Sequence, residues 1–60
     1  MKTSILVFID WERGVWAAQY RDDSGMVTEM TSFPASTPSI VVCHAIQKDK
    51  PESRIFAKIR

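Results

Sequence analysis

The only cysteine and the only histidine of this chain, Cys43 and His44, are neighbours in sequence. Adjacent residues point about 100° apart on a helix and to opposite faces of a strand, so these two cannot form a nucleophile–base pair within one chain. Cys43 is expected to be a small buried apolar residue and His44 a surface position. The carboxylates Asp10, Glu12, Asp22, Asp23 and Glu29 are the remaining candidates for acid–base or metal chemistry. Four of them lie in or beside turn sequences, where acidic residues bond local backbone and stay hydrated. A divalent-metal nuclease built from Asp10 and Glu29 needs both on one face of the sheet, and the strand pairing set out below places them on opposite faces. Both glycines fall in turns, leaving no phosphate-binding loop. No catalytic, cofactor-binding or metal-ligating residue is therefore expected, and the chain is not expected to be an enzyme.

The elements that position these residues are legible as apolar runs. Ile5-Leu6-Val7-Phe8-Ile9 is branched and apolar on both faces, which predicts a central strand covered on two sides. Arg13-Gly14 and Asp22-Asp23-Ser24-Gly25 then break the chain into a three-stranded antiparallel meander. A first turn centred on Arg13-Gly14 sets Trp11 opposite Trp16, Ile9 opposite Ala18 and Val7 opposite Tyr20, all on one aromatic face. A second turn centred on Asp23-Ser24 sets Tyr20 opposite Val27 and Ala18 opposite Glu29, and Phe33 closes the face. The opposite face collects Leu6, Phe8, Val15, Ala17, Met26 and Met30, mixed with Asp10, Gln19, Arg21, Thr28 and Ser32.

Pro34 to Pro38 interrupts the sheet, and Ser36-Thr37-Pro38 has the form of a helix start with proline at the first helical position. A helix over residues 38–47 would aim Val41, Val42, Ala45 and Ile46 at the sheet. Propensity alone makes Ile40-Val41-Val42-Cys43 a strand, with Lys48 to Ser53 as a hairpin loop, and that alternative gives a small all-β barrel. Arg54 to Ile59 reads as a last strand. The expected fold is thus α+β in the order β-β-β-α-β, as a single domain over residues 1–60.

A domain of this length buries only about 60% of the surface its unfolded chain exposes, and usually needs a disulfide, a metal or a second copy. One cysteine excludes an internal disulfide, and one histidine leaves too few ligands for structural zinc. One helix covers one sheet face, so a homodimer through the other face, or through the last strand, is expected. No apolar stretch reaches membrane-spanning length and no secretory cleavage site follows the first apolar run, which suits the cytoplasm. The net charge of +1 conceals a basic end, Lys48, Lys50, Arg54, Lys58 and Arg60. Such a tail is more commonly a solvated surface than a phosphate site.

Two family resemblances fall in the meander. Trp16, Ala18, Tyr20, Arg21, Asp22 and Gly25 resemble the W-x-A-x-Y-R-D-x-x-G pattern of the arm-type DNA-binding domains of phage integrases, which implies nucleic-acid contacts through Arg13, Gln19, Arg21 and Thr28. Those two arginines stand among five acids, which disfavours phosphate-driven binding. A longer pattern, Asp10-x-Glu12-x-Gly14-Val15-Trp16-x-Ala18 followed by Asp22-x-x-Gly25-Met26-Val27-Thr28-Glu29, resembles the HicB-like antitoxin superfamily. It runs from Asp10 to Glu29 without a gap, a third of the chain, and is most similar to small standalone members. Ser24 replaces the usual proline, Ile9 the usual tryptophan, and the usual acidic, leucine-rich helix is absent. The resemblance implies a partial RNase H-like fold and a non-enzymatic role, binding and occluding a small basic ribonuclease toxin. It does not extend to a ribbon-helix-helix or helix-turn-helix segment, so operator binding is not implied.

Overall fold

The computed structural model describes residues 3–58, with β1 (Ser4–Asp10), β2 (Val15–Asp22), β3 (Gly25–Pro34), α1 (Ser39–Asp49) and β4 (Arg54–Ala57). This is the expected α+β order, β-β-β-α-β. The sheet runs β3-β2-β1-β4, with β1 antiparallel to β2 and parallel to β4, so β1 is central as its doubly apolar run requires. The last strand is shorter than expected, and Ile59 and Arg60 lie outside the described residues.

The meander's two turns differ in how firmly they set register. Asp22 pairs with Gly25 across the two-residue turn Asp23-Ser24, giving Tyr20 opposite Val27 and Ala18 opposite Glu29 as expected. Gly25 takes φ 121°, a region in which a Cβ is strained. The first turn corrects the expectation. It is a four-residue loop, Trp11 to Gly14, closed where Gly14 N donates to Asp10 O at 2.7 Å, and Gly14 adopts φ 69°. Asp10 therefore pairs with Val15, Ile9 with Trp16, Val7 with Ala18 and Ile5 with Tyr20, a shift of two residues from the expected pairing. A slip of two keeps every side chain on its face, whereas a slip of one would invert them. Trp11 alone is lost from the aromatic face; it sits on the loop, 76% exposed.

β3 is irregular at its far end. Ala17 pairs with Met30 but Val15 with Pro34, so β3 spends two extra residues there. The Thr31 hydroxyl donates to Trp16 O at 2.7 Å and accepts from Phe33 N at 3.2 Å, taking up groups that the broken ladder frees. An even insertion preserves alternation, and Phe33 packs against the core as expected.

α1 overrides local propensity. Ile40-Val41-Val42-Cys43 is helical, which excludes the all-β alternative. What holds it is packing: Val42, Cys43 and Ile46 form a stripe at i, i+1 and i+4 that meets Ile5, Val7, Trp16 and Ala18. Val41, expected inward, is exposed, and Cys43 takes its place. Pro38 is the N-cap in extended conformation rather than the first helical residue, and its carbonyl accepts from Val41 N at 3.0 Å. No side chain caps this end; the indole Nε1 of Trp16 instead donates to Thr37 O at 2.9 Å, tying the helix entry to β2. Beyond the helix, Gln47 Nε2 lies 2.9 Å from Ser53 O and 3.2 Å from Pro51 O, holding the loop that leads into β4.

Candidate functional site

α1 covers the aromatic face and no described element covers the other. Pairing and alternation put Leu6 and Phe8 of β1, Val15, Ala17 and Gln19 of β2, and Met26, Thr28 and Met30 of β3 on this open face. All six expected interface residues are brought together there. Their burial is uneven. Met26 is 58% and Met30 43% exposed, Leu6 is exposed, and Phe8 and Val15 are half-buried. Ala17, expected among the exposed contacts, is fully buried between its cross-strand neighbours Phe8 and Met30.

One member was missed. Phe56, 52% exposed, pairs with Leu6 in the parallel β1–β4 ladder and extends the apolar surface across the whole sheet. The alternation of Arg54, Phe56 and Lys58 was the available signal, but only the ladder between remote segments decides which face it joins. Arg54 pairs with Ser4 and shares the face, and Lys58 follows by alternation, its N–H donating to Val7 O at 2.7 Å.

The face is polarised in charge. Arg21, Arg54 and Lys58 stand at its margins, and none takes part in an ion pair among the described residues. Among the described strand residues of this face the one acid, Asp10, is spent locally, accepting from Glu12 N at 3.1 Å, Arg13 N at 3.2 Å and Arg13 Nη1 at 3.0 Å. The Arg13 N–H, joined by that guanidinium and the Glu12 N–H, holds the Asp10 carboxyl below its ordinary range against partial desolvation. A depressed folded-state value means a stabilisation present above the unfolded carboxyl value, about 3.9, and lost as pH falls through the folded one. Thermal melts from neutral pH to pH ~2 are expected to show wild type above Asp10→Asn at neutrality, the gap closing in acid. A gap independent of pH would mean that the turn does not sense this ionisation.

The four residues proposed for nucleic-acid contact do not form a free polar surface. Arg13 is paired with Asp10 in the turn, Gln19 Nε2 donates to Thr28 Oγ1 at 3.1 Å, and Arg21 alone has an uncommitted head group among the described residues. Asp10 lies on the open face and Glu29 on the helix side, where Glu29 accepts from the Tyr20 hydroxyl at 2.9 Å and raises the Tyr20 pKa. Among the described residues no three His, Cys, Asp or Glu side chains cluster as metal ligands would. Cys43 packs inward while His44 is exposed, and burial raises the thiol's pKa.

An open cleft of about 380 Å³ lies at the C-terminal end of α1 between Tyr20, Asp22 and Lys50. Its polar groups are largely engaged with neighbours: Lys50 Nζ sits 5.6 Å above the Tyr20 ring, and Asp22 accepts from Ser24 N and Oγ at 2.8 Å each. Among the described residues, no helix is long and apolar enough to cross a membrane. Comparison with family models, curated proteins and solved structures finds no match to this chain.

Proposed function

We propose that this chain is a non-enzymatic protein-interaction module that works by covering part of a partner's surface with the open face of its sheet. The supporting observation is the contiguous apolar surface of Leu6, Phe8, Met26, Met30 and Phe56, which no described element covers. Each such side chain fully buried is worth roughly 1.5–3 kcal/mol, against a total stability of about 3–9 kcal/mol for a domain this small. A surface of that kind on a small domain marks a contact. The HicB-like pattern from Asp10 to Glu29 supplies the specific form: antitoxin-like occlusion of a small ribonuclease toxin in the cytoplasm. Sheet-mediated nucleic-acid binding is the weaker alternative, because Gln19 and Thr28 satisfy each other and Arg13 is paired.

Without its partner, the same face is expected to bring two copies together. Sedimentation at micromolar concentration should show a wild-type homodimer, with Phe8→Glu and Val15→Glu sedimenting as monomers that melt within a few degrees of wild type. A wild-type monomer with both variants equally stable removes the face as an interaction surface.

A further inference from the structure

We infer that the outer edge of β3 pairs with the same edge of a second copy, antiparallel and in one register about Thr28, so that two four-stranded sheets become one continuous sheet. The contact lies on the sheet edge and leaves the open face free. It is therefore separate from the face-to-face association argued above.

The hydrogen bonds identify which backbone groups are free. Lys58 N donates to Val7 O, so Val7 turns its peptide groups toward β4 and away from β2. Its cross-strand neighbour Ala18 then turns toward β3, as does Trp16, whose carbonyl accepts from the Thr31 hydroxyl. Ala18 pairs with Glu29 and Tyr20 with Val27, so Val27 and Glu29 bond to β2 while Met26, Thr28 and Met30 point their N–H and C=O groups outward. β3 ends the sheet on that side, and these three residues are exposed. Such an edge is a template for another strand, which proteins blunt with lysine, proline or a bulge. Residues 25–30 contain none of these; the irregularity of β3 and Pro34 come only after them. Their one charge, Glu29, is bonded to the Tyr20 hydroxyl of its own sheet. The opposite edge is poorer, since β4 turns only Ile55 and Ala57 outward, between Arg54 and Lys58.

Self-complementarity selects a second copy and its register. A two-fold axis must match the outward residues 26, 28 and 30 with themselves. Placed at Thr28, it sets Thr28 opposite Thr28 and Met26 opposite Met30 on both sides, and each opposed pair exchanges two backbone hydrogen bonds. Every outward group of residues 26, 28 and 30 is then satisfied, and threonine meets threonine while the exposed methionines cover one another. Between them Glu29 falls opposite Val27. An axis at Glu29 would set that carboxylate opposite its own copy, a destabilising pair. An axis at Val27 would set Met30 against the turn residue Ser24 and leave its peptide groups unmatched. Because the axis runs perpendicular to the sheet, both open faces look the same way, with Met26 and Met30 of the two copies meeting in the middle. On the interaction module proposed above, two partners are then carried side by side on one joined sheet. A contact of one strand pair is small and of the weak kind, expected at roughly 0.1–1 mM, above the micromolar range in which the open face associates.

The test is disulfide trapping at submillimolar protein in a glutathione redox buffer. The full chain carries Phe8→Glu, which disables the open face, and Cys43→Ala, which removes the native thiol. Opposed residues of a hydrogen-bonded antiparallel pair have Cα atoms about 5.5 Å apart, inside the span of about 4.4–6.8 Å that a disulfide bridges. Thr28→Cys is expected to form a covalent dimer at least about tenfold faster than Met26→Cys or Met30→Cys alone, whose thiols lie too far from their own copies. An equimolar mixture of Met26→Cys and Met30→Cys should give the mixed dimer at a rate like that of Thr28→Cys. Thr28→Pro removes an outward N–H that the β2 ladder does not use, so the chain should still fold, and it should suppress the mixed dimer. If that variant does not fold by circular dichroism, the cysteine pattern decides alone. Equal rates for all three single cysteines, or no mixed dimer, overturn the edge pairing. Sedimentation of wild type at micromolar concentration reads the open face separately, so failure of the edge and failure of the interaction module are distinguishable.

Discussion

Trp16→Ala is expected to leave the chain largely unfolded at room temperature. The indole is 3% exposed, lies in the core with Ile5, Val7, Ala18 and Val42, and its Nε1 donates to Thr37 O just before the helix begins. Truncating a buried tryptophan costs about 3–5 kcal/mol, a large part of the roughly 3–9 kcal/mol that a domain of this size holds. Two elements loosen together, since the same side chain fills the sheet face and anchors the uncapped entry of α1. Trp16→Phe separates the two roles. It keeps most of the apolar volume, drops the hydrogen bond, and should cost about 1–3 kcal/mol. Urea melts followed by circular dichroism measure both; an alanine variant that loses less than the phenylalanine one would mean that the indole does not hold the core.

The second large effect is a contrast between neighbours. Val42→Asp puts a carboxylate without a partner at a position with no solvent exposure, and should abolish the folded state outright. Val41→Asp, one residue earlier and 46% exposed, should stay within about 0.5 kcal/mol of wild type. It also adds an acid to the first turn of α1, which has none, where the helix dipole favours negative charge. The contrast alone does not separate helix from strand, because a strand at Ile40–Cys43 also puts the two on opposite faces; what a strand gives no reason for is Cys43 and Ile46 sharing Val42's side. Adding Cys43→Asp decides it: the helix makes Cys43→Asp damaging as well, and a strand makes it harmless. Melting temperatures of the three variants give the answer.

The residues carried most of this fold openly. Alternation in Ile5–Ile9 and in Val15–Tyr20 sorted the two sheet faces, and Asp23-Ser24 between Asp22 and Gly25 left room for only one tight hairpin. The first hairpin was less legible, because Arg13-Gly14 suits either a two-residue turn or the end of a longer loop. The Asp10 carboxyl, by bonding the Glu12 and Arg13 N–H groups, stabilises the longer one. Its consequences stop at register, since a shift of two leaves each face intact. Val41 was misplaced because a run of branched residues gives no local sign of where a helical stripe begins; the sheet beneath decides it. Arg54, Phe56 and Lys58 were hidden for another reason. They join the candidate site only through the pairing of β4 with β1, and nothing within either segment announces a partner so far along the chain.

That same pairing has a kinetic side. The hairpins β1–β2 and β2–β3 close over short loops, but the β1–β4 ladder joins Ser4 to Arg54, and loop-closure entropy grows with the length enclosed. Contacts of such high sequence separation form late and slow the search. The meander is expected to be the early structure in folding, and the docking of α1 and β4 the final, cooperative step. On the ribosome, where the chain emerges from its first residue onward, Ile5, Val7, Trp16 and Ala18 are made long before α1 and β4 can reach them. Until then the nascent sheet has neither face covered, and chaperones that hold exposed apolar strands would meet this protein twice: briefly on the face that α1 later seals, and for longer on the one that stays open.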